Sequence, residues 1–134
     1  MRLYLAGPMS NVPHFNFPRF DSAASLLREE GHHVVSPAEL DDPRLRDAAM
    51  RSPDGDLELY VAATGATWGE FLQRDLSLIC SGRIDAIVVL PGWRKSRGAS
   101  LEVLVAASTG LRVFAIKAGL LCPEVVNFDP LPFA

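Results

Sequence analysis

The sequence predicts one α/β domain built on a doubly wound parallel sheet of about five strands, with helices on both faces. Residues 84–90 (IDAIVVL) form a nearly continuous apolar run, the mark of a strand buried on both faces, as parallel strands are. Short β-rich runs alternate with stretches of helical period, and Gly or Pro stands at the joins, as at Gly7-Pro8, Gly31, Pro37, Gly82 and Gly110. The resulting order is β-α-β-loop-α-β-α-β, in which right-handed crossovers cover both faces of one sheet.

Each element follows from its own residues. Residues 2–6 (RLYLA) read as a strand stopped by Gly7-Pro8. Pro18 suits the first turn of a helix, where its missing N–H costs nothing, and Phe20, Ala23, Ala24, Leu26 and Leu27 recur at helical spacing behind it. Gly31 suits the left-handed position after that helix, and residues 32–37 (HHVVSP) form a second strand closed by Pro37. Residues 38–66 carry the turn-forming DDPRLRD and RSPDGD and read as a long loop with a helical turn or two. A helix resumes at Trp68 through Phe71, Leu72, Asp75, Leu76, Leu78 and Ile79, and Ser81-Gly82 ends it. After the 84–90 strand come a loop (91–98), a helix (99–110) and a strand (111–116), with VVNF (125–128) as a short last strand.

Composition bounds the function. The chain has 134 residues, enough for one domain (1–134, with 41–66 a variable loop or insertion), and 49% are hydrophobic against 22% charged. A net charge of −3 argues against a partner made of nucleic-acid backbone or anionic membrane, and leaves room for a small anionic ligand at one local basic spot. Cys80 and Cys122 lack metal-ligand spacing and read as buried free thiols in a reducing cytoplasm. No apolar run approaches a membrane span, no metal or cofactor motif is present, and His32 and His33 have no ligand partners in sequence. The expected protein is cytoplasmic and needs no cofactor.

In a doubly wound sheet ligands bind outside the carboxyl ends of the strands. Three segments therefore converge on one crevice: Gly7 to Phe17, Ser36 to Glu39, and Pro91 to Glu102. The third joins a buried strand to a helix N-terminus, where exposed amides favour an anion. Gly98 allows close approach, Ser96 offers a hydroxyl, and Arg94, Lys95 and Arg97 offer charge; a solvated basic loop is the plainer alternative. Glu102, placed in the first turn of that helix, either complements the dipole or acts as a nucleophile kept ionised by the dipole and a nearby Arg. Asp75 is either a surface acid paired with Arg74 or Arg83, or a second carboxylate beside Glu102. Tyr4 is either a core aromatic or the residue that orients the nucleophile. Phe15, Asn16 and Phe17 are candidates for a base pocket, and Trp68 and Trp93 for stacking on a base or for the core.

Taken in order, YLAGPMSN, the Asn-Phe-x-x-Phe helix, GHHVVSPAE, the RDL helix, IDAIVVLPGW and SRGASLEVLVAASTG resemble the nucleoside 2-deoxyribosyltransferase superfamily. The nearest pattern is that of its small phage and bacterial branch (GPM...LPGW...GA...E), over nearly the whole chain except residues 41–66. The resemblance implies a Rossmann-like sheet and a covalent glycosyl–enzyme mechanism. It assigns Glu102 as the nucleophile, Asp75 as the active-site aspartate and Tyr4 as the first-strand tyrosine. Gly7 matches the first-loop glycine, followed by Pro8 and Met9, and Gly98 the glycine before the catalytic helix, followed by Ala99. It also implies a homodimer or larger homo-oligomer, because family members associate so that a neighbour closes the pocket.

One departure narrows the substrate. Six residues before the nucleophile, where transferases on free nucleosides commonly carry Asp, this chain has Ser96. A serine there resembles the branch that hydrolyses 2′-deoxynucleoside 5′-monophosphates, and a hydroxyl removes the repulsion a carboxylate would exert on phosphate. Pro8 and Ser10 stand where that branch has Ser and Arg, so the match is partial. The expectation is an N-glycosidase acting on a (deoxy)nucleoside 5′-monophosphate, with Asp75 or water protonating the leaving base. A base-exchanging transferase and a non-catalytic nucleotide sensor are the alternatives.

Overall fold

The structure, a computed structural model, describes residues 1–40, 43–56, 58, 62 and 65–126. It holds one five-stranded sheet: β1 (Arg2–Ala6), β2 (His33–Val35), β3 (Ala86–Val89), β4 (Arg112–Lys117) and β5 (Leu120–Pro123). The order is β2-β1-β3-β4-β5, with the first four strands parallel and β5 antiparallel to β4. Four α-helices are described: α1 (Phe17–Glu29), α2 (Pro43–Arg51), α3 (Trp68–Ile79) and α4 (Arg97–Ser108). This is the α/β doubly wound, Rossmann-like architecture that the sequence predicts.

The side-chain period of a strand sorts the core into two layers. Leu3, Leu5, Val88 and Phe114 meet Phe20, Ala24 and Leu27 of α1 and Ala49 of α2 on one face. Tyr4, Ile87 and Ala115 meet Ile79 of α3 and Val103 and Ala106 of α4 on the other. All four residues of β3 are buried, as its unbroken apolar run requires.

Two stretches differ from the sequence reading. Within 41–66, the chain forms the nine-residue helix α2 rather than a loop with stray turns. Leu45, Ala48 and Ala49 lie at helical spacing, Ala49 is fully buried, and Arg46 ties the helix to the Asp21 carboxylate and to the Ala38 carbonyl (2.9 Å). The turn-forming residues that flank this helix hid it. Among the described residues the last strand is Leu120–Pro123. Ala118 and Gly119, at φ +50° and +77°, make a two-residue hairpin in which Lys117 pairs with Leu120. Val125 and Val126 are not in a strand, and residues 127–128 lie outside the described residues.

The cysteines also depart from expectation. Both are free thiols, but Cys80 is exposed at the end of α3 and Cys122 is half-buried on β5. Among the described residues, no helix is long and apolar enough to cross a membrane.

Candidate active site

The strand order reverses direction between β1 and β3, and the two loops leaving their carboxyl ends must separate there. Gly7 and Leu90 meet at this point: a Cβ on Gly7 would lie 2.8 Å from Leu90 Cβ. Gly7 is thus needed for the close approach of the two strand ends, and it also lines the cavity that opens above them. That cavity has a volume of about 650 Å³. It draws walls from the loop after β1, from Pro37 after β2, from Gly92 and from Lys95 to Ala99 after β3, and from α3. The three segments that topology predicts to converge do so.

Glu102 forms part of its floor, and Tyr4, which is not among the lining residues, is bonded to it from behind. Tyr4 is fully buried at the centre of the sheet, and its hydroxyl donates to Glu102 Oε2 at 2.5 Å. Glu102 is 6% exposed and lines the cavity. It does not sit in the first turn of its helix, as the sequence reading placed it. Ser96 is the N-cap, its Oγ accepting from the Ala99 amide at 3.2 Å, so α4 starts at Arg97 and Glu102 falls in the second turn. There the helix dipole does little. Burial instead pushes the Glu102 carboxyl up to about 8; the Tyr4 hydrogen bond pulls it down, the Asp75 charge pushes it up, and Arg74 pulls it down. The expectation of an acid kept ionised by dipole and Arg is therefore corrected. Burial also holds the Tyr4 phenol well above its ordinary value, with the Glu102 and Asp75 charges adding to the effect.

Asp75 reaches the same cavity from α3 and is ion-paired with Arg74, Nε to Oδ1 at 3.0 Å. Asp75 is not the surface acid of the first sequence reading, although it has the arginine partner named there; it lies on the crevice, as the second requires, and shifts the titration of Glu102. The α3 residues on the cavity are Trp68, Phe71, Leu72 and Asp75, spaced i, i+3, i+4, i+7 on one helical face, together with Arg74. Arg74 stacks over Phe71 at 5.4 Å.

The basic loop divides. Lys95 and Arg97 line the cavity, and the Arg97 guanidinium lies 4.7 Å over the Trp68 ring. Arg94 turns away to Glu124 (3.1 Å) and the Val125 carbonyl (2.7 Å). Ser96 and Ala99 line the cavity, and around Gly98 nothing lies within 4 Å of where a Cβ would stand, so its missing side chain leaves open space.

Pro8, Met9 and Phe17 line the cavity as expected, with Ser10, Asn11, Val12 and Phe15 beside them. Besides Tyr4, two candidates do not. Asn16 is buried, and its Nδ2 donates to the Pro8 carbonyl at 2.9 Å, so it braces the first loop from behind. Trp93 is buried in the layer with Tyr4 and Val103, where Arg94 covers its ring at 4.5 Å; it is a core residue and not a stacking platform.

Sequence reasoning did not name Arg74, Phe71 or Leu72 as cavity residues, and it had Ser10–Val12 only as part of the segment from Gly7 to Phe17, not residue by residue. The stripe 68, 71, 72 carried a signal, because an acid at 75 continues an otherwise apolar face. The first loop carried none: Asn11, His14, Phe15 and Asn16 all take positive φ, between +51° and +64°. For a bulky residue such as Phe15 that conformation is strained, and such strain collects where surrounding structure enforces it.

A comparison with curated proteins found no match. The family profile described as "Domain of unknown function (DUF4406)" matches residues 1–115, a span that contains every cavity residue named above, and the chain belongs to that family.

Proposed function

We propose that this protein is an N-glycosidase that cleaves the glycosidic bond of a nucleoside 5′-monophosphate through a covalent ester on Glu102. The observation that carries the reading is the Tyr4–Glu102 pair, a buried carboxyl held by one phenol on the floor of a cavity large enough for a nucleotide. In the first step a Glu102 oxygen attacks C1′ and the base departs with the bonding electrons. In the second, water attacks C1′, its hydroxyl stays on the sugar, the carboxylate is freed, and the proton that water gives up balances the one the departing base takes up. An anionic oxygen beside an oxocarbenium-like transition state suits both. The Ser96 hydroxyl, Lys95 and Arg97 give the 5′-phosphate a basic end, and Phe15, Phe71 and Trp68 give the nucleoside an aromatic wall.

The test is a panel of (deoxy)nucleosides and their monophosphates, read for free base by chromatography and for a glycosyl adduct on Glu102 by mass spectrometry. Release of base from monophosphates, with an adduct on Glu102, is the expected result. Binding without any release would leave a nucleotide sensor. A new nucleoside formed when an acceptor base is added would make the protein a transferase.

The titration of Glu102 sets a pH dependence. Only the ionised carboxylate attacks, so kcat/KM is expected to rise with pH and level off above about 8. Tyr4→Phe removes the hydrogen bond that favours ionisation. The limb is then expected to move to higher pH, with activity at pH 7 falling about tenfold per unit of movement. A limb that falls with rising pH through the same range would assign Glu102 as a proton donor and refute the nucleophile.

A further inference from the structure

A neutral purine or pyrimidine leaves C1′ readily only when one of its nitrogens gains a proton as the bond breaks. The groups around the cavity floor bear on where such a proton would come from. The Asp75 side chain is 14% exposed, and its Oδ1 is ion-paired with Arg74 Nε at 3.0 Å. The Tyr4 proton is engaged in the bond to Glu102. The other titratable side chains among the described lining residues, Lys95 and Arg97, belong to the start of α4, where the pocket is basic.

Charge points the same way. When Glu102 is ionised for attack, the described lining residues include two carboxylates, Glu102 and Asp75, with Arg74 paired to Asp75. The start of α4 contributes two cations to the same cavity wall, Lys95 and Arg97. A buried, uncompensated negative charge is costly, and a ligand that brings one positive charge to the floor and a phosphate to the basic end removes that cost. Phe15, Phe71 and Trp68 also line the cavity, and Phe71 and Trp68 each already carry an arginine over the ring, so these rings accept flat cations.

Resting on the N-glycosidase reading, we propose that the substrate class is an N-glycoside whose base is already cationic, a pyridinium nucleotide. Its ring lies toward Asp75 and Glu102, and its phosphate toward Lys95 and Arg97. The C1′–N bond breaks with its electron pair passing to the ring nitrogen, which leaves as a neutral pyridine and takes up no proton. A Glu102 oxygen forms the new bond to C1′. Water then attacks C1′, its hydroxyl stays on the sugar, its proton goes to solvent, and the Glu102 carboxylate is restored. Each turnover consumes one water and releases one proton.

The experiment compares nicotinamide mononucleotide and its 2′-deoxy form with AMP and dAMP, so that each pair shares its sugar phosphate. The pyridinium member is expected to have at least a hundredfold higher kcat/KM, with one proton released per turnover in weakly buffered solution. Across substituted pyridinium nucleotides, kcat is expected to fall steeply as the leaving pyridine becomes more basic. Asp75→Asn is expected to lower kcat/KM for the pyridinium substrate at least tenfold, with circular dichroism confirming the fold. Adenine nucleotides cleaved as well as their pyridinium partners, or a flat dependence on leaving-group basicity, would overturn this inference and leave the N-glycosidase standing. Cleavage of none of the four would overturn the N-glycosidase reading itself.

Discussion

Glu102→Gln is expected to lower kcat by about 10³-fold or more while making the protein more stable above pH 8. The activity loss follows from chemistry: an amide oxygen is a poor nucleophile towards C1′, and no glycosyl ester forms. The stability gain follows from linkage. Burial holds the folded-state carboxyl at about 8, whereas an unfolded Glu titrates near about 4.3. The folded protein therefore keeps a proton that the unfolded chain has lost, and stability falls as pH rises from about 4.3 to about 8. Below that window both states are protonated and the group has no effect; above it the full penalty applies.

Gln is the neutral isostere of the protonated acid, and its amide oxygen can still accept from the Tyr4 hydroxyl. It does not titrate, so the variant escapes the penalty, which is on the order of several kcal/mol for a shift of this kind. Urea unfolding of both proteins from pH 5 to pH 9 checks this. The two midpoints should lie close together at pH 5, separate as pH rises, and run parallel beyond about 8. Midpoints that stay together throughout would mean that Glu102 is solvated and that the buried floor is wrongly described. A residue that weakens the fold in its working ionisation state is what a nucleophile in a dry pocket should look like.

How much of this was legible in the sequence depends on what each residue's signal was. The sheet was legible because parallel strands need apolar residues on both faces, and residues 86–89 could hardly be anything else. Convergence of the three loops followed from topology, which needs only the order of elements. Tyr4, Asp75 and Glu102 were recoverable as candidates: Tyr4 and Asp75 as polar groups on apolar stretches, Glu102 as an acid near a helix start on the expected crevice, and the family resemblance joined the three. Their electrostatics were not, because burial of Glu102 depends on Tyr4, 98 residues away, and on the start of α4, which Ser96 shifts by two residues from the sequence reading. Trp93 and Asn16 were misassigned for one reason: proximity in sequence to a loop does not say which side of the loop a side chain takes. The α2 segment was hidden by its own flanks.

That segment gives the second large effect. Gly55→Ala is expected to raise KM more than tenfold and to destabilise the protein by about 2–4 kcal/mol, although residue 55 is not among the cavity-lining residues. Gly55 has φ +69°, and an added Cβ would stand 2.2 Å from the Val12 carbonyl oxygen and 2.8 Å from the Val12 nitrogen. These are backbone atoms and cannot turn aside as a flexible side chain can. The Asn11 amide donates to the Gly55 carbonyl at 2.9 Å, and the His14 amide to the Ser52 carbonyl at 2.8 Å, so the 52–55 turn holds the strained loop in place. Asn11, Val12 and Phe15 of that loop line the cavity, and displacing Val12 must move them. Gly31→Ala separates this from simple backbone strain. Gly31 also has positive φ, at +90°, but nothing lies within 4 Å of its Cβ position, so Ala there should cost about 1 kcal/mol and leave KM unchanged. Steady-state kinetics with thermal melts on both variants decide the matter. An unchanged KM in Gly55→Ala would mean that the loop adjusts without moving the wall, and that helix α2 and its turn have no part in the site.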